Sequence, residues 1–205
     1  YGQVEDYTVN ILGTTTTVSV KVNIEGYYDL DANAMRTVKA NQGVGVSPTD
    51  VDVVTIELRN PILFDVVATT TAMLQTNGTA VGIFNSLING SYYIVIKHRN
   101  ALQTWSATPI VINAVTPMYD FTNAVSKAFG SNMIQVKPGV WAFFSGDITQ
   151  DEVIDASDAP NLFNDVENSE FGDITTDLNG DGAVDNSDLP FLFNNSENSI
   201  YTVKP

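Results

Sequence analysis

Asp177-Leu178-Asn179-Gly180-Asp181-Gly182-Ala183-Val184-Asp185-Asn186-Ser187-Asp188 carries oxygen side chains at positions 1, 3, 5, 9 and 12 of a twelve-residue stretch. Thirty residues earlier, Asp147-Ile148-Thr149-Gln150-Asp151-Glu152-Val153-Ile154-Asp155-Ala156-Ser157-Asp158 repeats the pattern. This is the ligand spacing of a calcium loop. Such a loop adds a backbone carbonyl from position 7 and surrounds the ion with about six to eight oxygens at ~2.3–2.6 Å. The expected ligands of one ion are Asp147, Thr149, Asp151, Val153, Asp155 and Asp158. Those of a second are Asp177, Asn179, Asp181, Ala183, Asp185 and Asp188, with Val153 and Ala183 acting through their carbonyls. Gly182 stands at position 6, where the loop turns sharply and a residue without Cβ fits best. Glu152 holds that position in the first copy, where it either adds charge or obstructs the turn. Ile154 and Val184, at position 8, are expected to exchange short β contacts between the loops.

The copies stay in register beyond the loops. Ala159-Pro160-Asn161-Leu162-Phe163-Asn164 aligns with Leu189-Pro190-Phe191-Leu192-Phe193-Asn194, Glu167-Asn168-Ser169 with Glu197-Asn198-Ser199, and Phe171 with Tyr201. A unit repeated at this interval implies two halves that bury their apolar faces against each other. Each loop is expected to lead into a short helix, because proline is tolerated in a first turn whose N–H groups lack intrahelical partners. Leu162, Phe163, Leu192 and Phe193 are expected to form a shared core.

The paired loops resemble a dockerin, the calcium-loop module found at the ends of extracellular bacterial proteins. The resemblance covers about residues 145–203 and is tighter in the second loop, since Thr149 replaces the usual Asn and Glu152 the Gly. Like dockerin loops, both end in Asp rather than Glu. It implies two calcium ions and, less directly, a cohesin partner. The family reads cohesin through loop positions 10 and 11 and a longer basic helix. Here those positions are Ala156-Ser157 and Asn186-Ser187, followed by short acidic segments.

Charge follows the same division. The chain has 205 residues and a formal net charge of −15. Residues 147–205 hold ten Asp, four Glu and one Lys, a balance of −13, and the other 146 residues are close to neutral. Acidity is concentrated where cations would neutralise it, and without them the tail should repel itself. The balance excludes the basic face that nucleic-acid binding needs. There is no cysteine, so neither disulfide nor thiol chemistry is available. No apolar run approaches the ~20 residues of a membrane span. The opening Tyr1-Gly2-Gln3-Val4 is no translation start, so the chain is expected to be a processed or truncated piece of something longer.

Upstream of the loops the periodicity is that of β-structure. Tyr7, Val9 and Ile11 alternate with polar residues in a terminal strand over residues 1–13. Gly2-Gln3-Val4-Glu5-Asp6-Tyr7 resembles the closing strand of the small β module with a Gly-Glu-Val-Glu-Asp signature. Gly13 and Thr14–Thr17 read as a linker, and Val18, Val20, Val22 and Ile24 as a half-buried strand. A second strand uses Val51, Val53 and Leu58. Others cover about 64–74, 79–84, 91–98, 104–113 and part of 133–144. Asn77-Gly78 reads as a hairpin turn and Asn89-Gly90 as another turn. Short strands with turns every 8–12 residues predict an immunoglobulin-like antiparallel β-sandwich over 14–144, followed by the loop module over 145–205. Glu25-Gly26-Tyr27-Tyr28, Ser91 to Asn100 and Trp105-Ser106 resemble a sandwich that precedes a dockerin-like pair in surface proteins of gliding bacteria, which implies export by the type IX route.

Other chemistry finds little footing. His98 is the sole histidine and, between Lys97 and Arg99, reads as a surface or turn residue. Asp50 with Asp52 and Asp29 with Asp31 read as solvated carboxylates rather than a glycosidase pair. Tyr27, Tyr28, Tyr92, Tyr93 and Trp105 are divided between core and an exposed face that would stack on a glycan. The expected function is therefore non-catalytic: an extracellular or cell-surface module for adhesion, surface assembly or docking. Its expected partner is a protein, namely a neighbouring domain, a filament subunit or the secretion machinery. The alternatives are a carbohydrate-binding accessory module, whose glycan face would be an exposed row of those aromatics, and cohesin docking.

Overall fold

The computed structural model describes residues 15–45, 47–113 and 116–205. The terminal strand expected over 1–13 lies outside them. The fold is mainly β, with sheets in sandwich arrangement and few helices.

The chain runs through β1 (Thr15–Lys21), a small pair β2 (Tyr28–Asp29) and β3 (Ala34–Met35), and the one-turn helix α1 (Val38–Asn41). Next come β4 (Asp50–Arg59), β5 (Val66–Gln75), β6 (Thr79–Asn85), β7 (Gly90–His98), β8 (Ala101–Trp105), β9 (Ile110–Ile112) and β10 (Tyr119–Asp120). Two 3-10 turns then lead to β11 (Ile134–Lys137) and β12 (Val140–Ala142). One sheet has the order β10-β1-β6. The other has β5-β4-β7-β8, with β9 on the early part of β7. All pairs are antiparallel except β1 with β10, where Val20 stands beside Tyr119.

The sheets face each other through alternate residues. Val18, Val20, Ala80 and Phe84 point in from one, and Val54, Ile56, Leu58, Ala72, Leu74, Ile94 and Ile96 from the other. Ile56 pairs with Ile96 and Leu58 with Ile94, which fixes the register at the centre. Gly82 lets the layers meet closely, since a Cβ there would lie 2.8 Å from Thr70 and 3.0 Å from Ile56.

Three local readings change. The threonines from Thr15 onward are not linker but the start of β1, where Thr15 pairs with Asn85 and Thr17 with Ile83. Threonine is β-branched and suits a strand once a partner is beside it. Asn77-Gly78 does not close a hairpin: β5 pairs with β4 and β6 with β1, so the turn carries the chain from one sheet to the other. In β4 the register shifts between Asp50 and Asp52. Val51 and Leu58 stay buried, but Val53 is turned out and Val54 and Ile56 take the inward places.

Beyond β12 the chain passes the first acidic loop, which contains β13 (Val153–Ile154), and enters α2 (Ala159–Glu167). The second loop leads to α3 (Leu189–Ser196), and β14 (Ile200–Tyr201) closes the tail. Pro160 and Pro190 lie in the first turns of α2 and α3. Ile148, Ile154, Leu162, Leu178, Val184 and Leu192 form a second core with Leu102 of β8, so the tail completes its interior with a sandwich residue. Leu162 and Leu192 are buried as the repeat requires. Phe163 and Phe193 are instead 49 % and 38 % exposed, their rings 5.8 Å apart at the surface. The loops do not pair with each other either. Ile154 of the first copy pairs with Ile200 at the end of the second, and Ala183 of the second bridges to Phe171 at the end of the first. The halves are joined by reciprocal exchange of their ends.

Candidate functional site

Each acidic loop is closed by its last aspartate. Asp158 Oδ1 accepts from the N–H groups of Ile148 and Thr149 at 2.8 and 2.9 Å, and its Oδ2 from Asp155 N–H at 3.1 Å. Asp188 does the same with Leu178, Asn179 and Asp185 at 2.8, 2.9 and 3.0 Å. Val153 N–H donates to Asp151 as Ala183 N–H does to Asp181, and Ser157 N–H to Asp155 as Ser187 N–H does to Asp185. Residues at positions 1 and 12 lie inside, whereas Asp151, Asp181 and Asp185 stand at the exposed mouths. Position 3 differs between the copies. Thr149 donates its hydroxyl to Asp158, while Asn179 donates to Asp181 and Ser187.

The electrostatics of these loops are unbalanced. Six carboxylates of the described residues are buried: Asp52, Glu57, Asp147, Asp158, Asp177 and Asp188. Asp52 is met by Lys39, His98 and Arg99, and Glu57 by Arg59 and Lys97. No cationic side chain of the described residues forms an ion pair with the other four, all of them proposed cation ligands. Burial, reinforced by the negative charges of Asp158 and Asp151, pushes the Asp147 carboxyl up to about 7. Burial, with Asp177 adding to it, pushes Asp188 up to about 6. Burial also raises Asp177, against donors from Gln42, Gly182 and Gly180. Removing a charge from water costs several kcal/mol unless a counter-charge or metal is supplied.

Calcium matches this donor set in type, number and spacing, since every proposed ligand atom is a hard oxygen. Among the described residues, no three acidic or histidine side chains stand as a ready-made cation cluster. The loop carboxylates accept mainly from N–H groups of their own loops, with Gln42 as an outside donor to Asp177, so cation binding would draw their oxygens together.

The raised carboxyls set a sign for pH. Unfolded aspartate titrates near ~3.9, so with folded values of about 7 and 6 the folded state holds more protons between those limits. In calcium-free buffer the chain gains stability as pH falls from about 7.5 toward 5, and loses it as pH rises through the folded values. With calcium as a ligand of these loops the expected trend is the reverse, because the ligating carboxylates must be ionised and binding would release protons. Thermal melts at both pH values with and without calcium are expected to cross in this way. A calcium-free Tm that climbs with pH would contradict it.

No protein-family model and no curated protein matches this sequence. Among solved structures, it is similar to a chain of a C-terminal interface mutant of the type II cohesin–X–dockerin complex from Acetivibrio cellulolyticus. The identity is 19 %, the TM-score 0.49, and the match covers 88 % of this chain and 95 % of that one. A chain of the N-terminal interface mutant of the same complex is similar at 18 % identity, with the same TM-score and coverage. Likeness at this level carries no functional argument.

The two loops differ in how they turn and where they sit. Positions 4 and 6 take positive φ in both: Gly180 and Gly182 in the second loop, Gln150 at 59° and Glu152 at 74° in the first. A non-glycine residue there costs on the order of 1–2 kcal/mol. Glu152 is held in place by Thr202 N–H on its carbonyl and by Lys204 and Gln103 on its carboxylate. The second loop is seated on the sandwich itself. Asn100 Nδ2 donates to the carbonyls of Thr175 and Asp177, Arg36 to that of Asn179, and Asn41 to that of Gly180. Gly180 and Gly182 permit that approach, because a Cβ would lie 2.5 Å from Val38 and 2.4 Å from the Asn41 carbonyl respectively.

Several residues read from sequence as surface are interior. His98 is 3 % exposed, with Nε2 on Asp52 at 3.1 Å and Nδ1 accepting from Asn100 N–H. Asp52 is buried beside it. Burial alone would raise its carboxyl, but His98, Arg99 and Lys39 outweigh that and hold it well below the usual carboxylate range. The remaining three of the four paired carboxylates lie at least partly in water, as expected. Tyr27, Tyr28, Tyr92, Tyr93 and Trp105 are all buried, so the exposed aromatic row that a glycan face required is not formed. Tyr27 lies in the seat of the second loop and edge-on to His98, while Trp105 lies under Arg59 on the outer face of its sheet. A charged residue inside the apolar run Val51 to Val54 was the available sign of the Asp52 network. Nothing local marks Asn100 or Gln42 as contacts of the second loop.

Proposed function

We propose that this chain is a non-catalytic structural and interaction module of a secreted or cell-surface bacterial protein, whose acidic tail is folded by two calcium ions. The observation that carries this reading is the four buried carboxylates Asp147, Asp158, Asp177 and Asp188, grouped by loop and lacking any ion-pair partner among the described residues. The sandwich pairs each of its own buried carboxylates with cations, so the omission is confined to the loops. A bound calcium supplies that missing charge and fixes the loop; it makes and breaks no bond.

On this reading residues 14–144 form the sandwich and 145–205 the dockerin-like calcium module. The module presents Phe163 and Phe193, matched across the repeat and exposed beside one another, on helices that follow directly from the loops. A paired aromatic surface of this kind suits a protein partner, such as a neighbouring domain, a filament subunit or the export machinery. Isothermal titration of the full chain with calcium chloride is expected to give two ions per chain. Asp188→Ala should remove one and Asp158→Ala the other. No heat of binding at millimolar calcium would refute the reading.

A further inference from the structure

The first ligand of the second loop is contacted by a donor from the sandwich, and the corresponding residue of the first loop is not. Asp177 Oδ1 accepts Gly180 N–H at 2.8 Å and its Oδ2 accepts Gly182 N–H at 3.0 Å, both from within the loop. Its third donor is Gln42 Nε2, at 2.8 Å on Oδ2, from a buried residue 135 positions away. In the first loop, Asp147 Oδ1 accepts Asp151 N–H at 3.2 Å, a donor of its own loop.

Gln42 has no freedom to turn away. Its Oε1 accepts Arg99 Nη2 at 3.1 Å, so the amide can offer only its nitrogen to Asp177. Arg99 is itself fixed, with Nε on Asp52 at 2.7 Å and Nη1 on Asp173 at 2.8 Å. Lys39 joins the same two carboxylates at 2.8 and 2.9 Å. A rigid ionic cluster at the sandwich surface therefore ends in one N–H aimed at the oxygen of a proposed cation ligand. Partners of this kind fix the orientation of a metal-binding carboxylate, and their loss commonly weakens metal affinity about 10- to 100-fold.

We propose that Gln42 is a positioning residue for the cation of the second loop, so that this site's affinity depends on a sandwich side chain that touches its ligand, a support that no ligand of the first loop receives among the described residues. The proposal rests on reading Asp177 to Asp188 as a divalent-cation loop. It adds an inequality that the two similar ligand sets do not contain: the seated loop fills first.

The test is calcium titration by calorimetry on the full chain, with Gln42→Met, which keeps the side chain's length but cannot donate. The expected result is one site unchanged and the other weakened about 10- to 100-fold. Unchanged affinity at both sites would overturn the proposal. A wild-type chain that binds no calcium would instead defeat the underlying reading, and the proposal with it. Asn195→Ala separates positioning from loosened docking, because Asn195 bonds to Glu25 and the Ser145 carbonyl and touches no proposed ligand. It is expected to lower Tm with both affinities kept. Equal weakening in both variants would assign Gln42 to docking alone and overturn the proposal. Should Gln42→Met fail to fold, the wild type still decides. The Gln42 side-chain amide resonances are expected to shift as the tighter site saturates, and resonances unmoved through saturation of both sites would overturn it.

Discussion

Removing calcium is expected to lower the Tm of the full chain by about 10–20 °C and to melt the tail first. Two sites at a hundredfold excess of ligand contribute about 2.7 kcal/mol each. For a chain of this size each kcal/mol moves Tm by about 2–4 °C. The loss should begin in the tail because little else holds it. Its core is Ile148, Ile154, Leu162, Leu178, Val184 and Leu192 with Leu102 borrowed from β8, set against a local charge of −13. Without the ions, Asp147 and Asp188, which burial pushes up to about 7 and about 6, take up protons or return to water by opening the loop. Calorimetric melts in calcium and in chelator at matched ionic strength read this directly. Circular dichroism should lose the helical signal of α2 and α3 before the β signal. Equal Tm values in both buffers would contradict the expectation.

The parts of this molecule legible in the sequence are those whose physics is local. The repeat of the acidic loops, the prolines in the first turns of α2 and α3, and the alternation of Val18, Val20 and Val22 each act within a few residues, and the repeated loops, the helices and the strand stand in the fold at those positions. Non-local choices were hidden. Asn77-Gly78 specifies a turn but not which sheet receives the next strand. One shifted residue between Asp50 and Asp52 was enough to turn Val53 outward. His98 and Asp52 carry polar side chains that resemble surface residues until Lys39 and Arg99 are placed around them. The seat of the second loop joins Tyr27, Asn41, Gln42 and Asn100 to residues some 75 to 150 positions later, a separation over which no periodicity informs.

Gly26→Ala is expected to unseat the second loop. A Cβ at this position would lie 2.0 Å from the Leu178 carbonyl oxygen and 3.0 Å from its carbon. Both colliding groups belong to backbone, so no side-chain rotation relieves them. Gly26 is also tied down, its N–H bonded to Ser145 Oγ at 3.1 Å. Relief therefore requires the corner between β1 and β2 to part from the loop. Leu178 lies between Asp177 and Asn179, so parting them stretches the contacts of Tyr27, Asn100 and Gln42 with Asp177, and that of Arg36 with Asn179. Overpacking costs about 1–3 kcal/mol, and each hydrogen bond weakened adds about 0.5–1.5 kcal/mol. A loss on the order of 4 kcal/mol follows, with faster amide exchange at Gly180 and Gly182. Gly43→Ala is the control, because Gly43 has φ 75° but no atom within 4 Å of its Cβ direction. Its cost is only the left-handed strain of about 1–2 kcal/mol. If Gly26→Ala matches that control, the seat yields without loss, and the second loop holds its form independently of the sandwich.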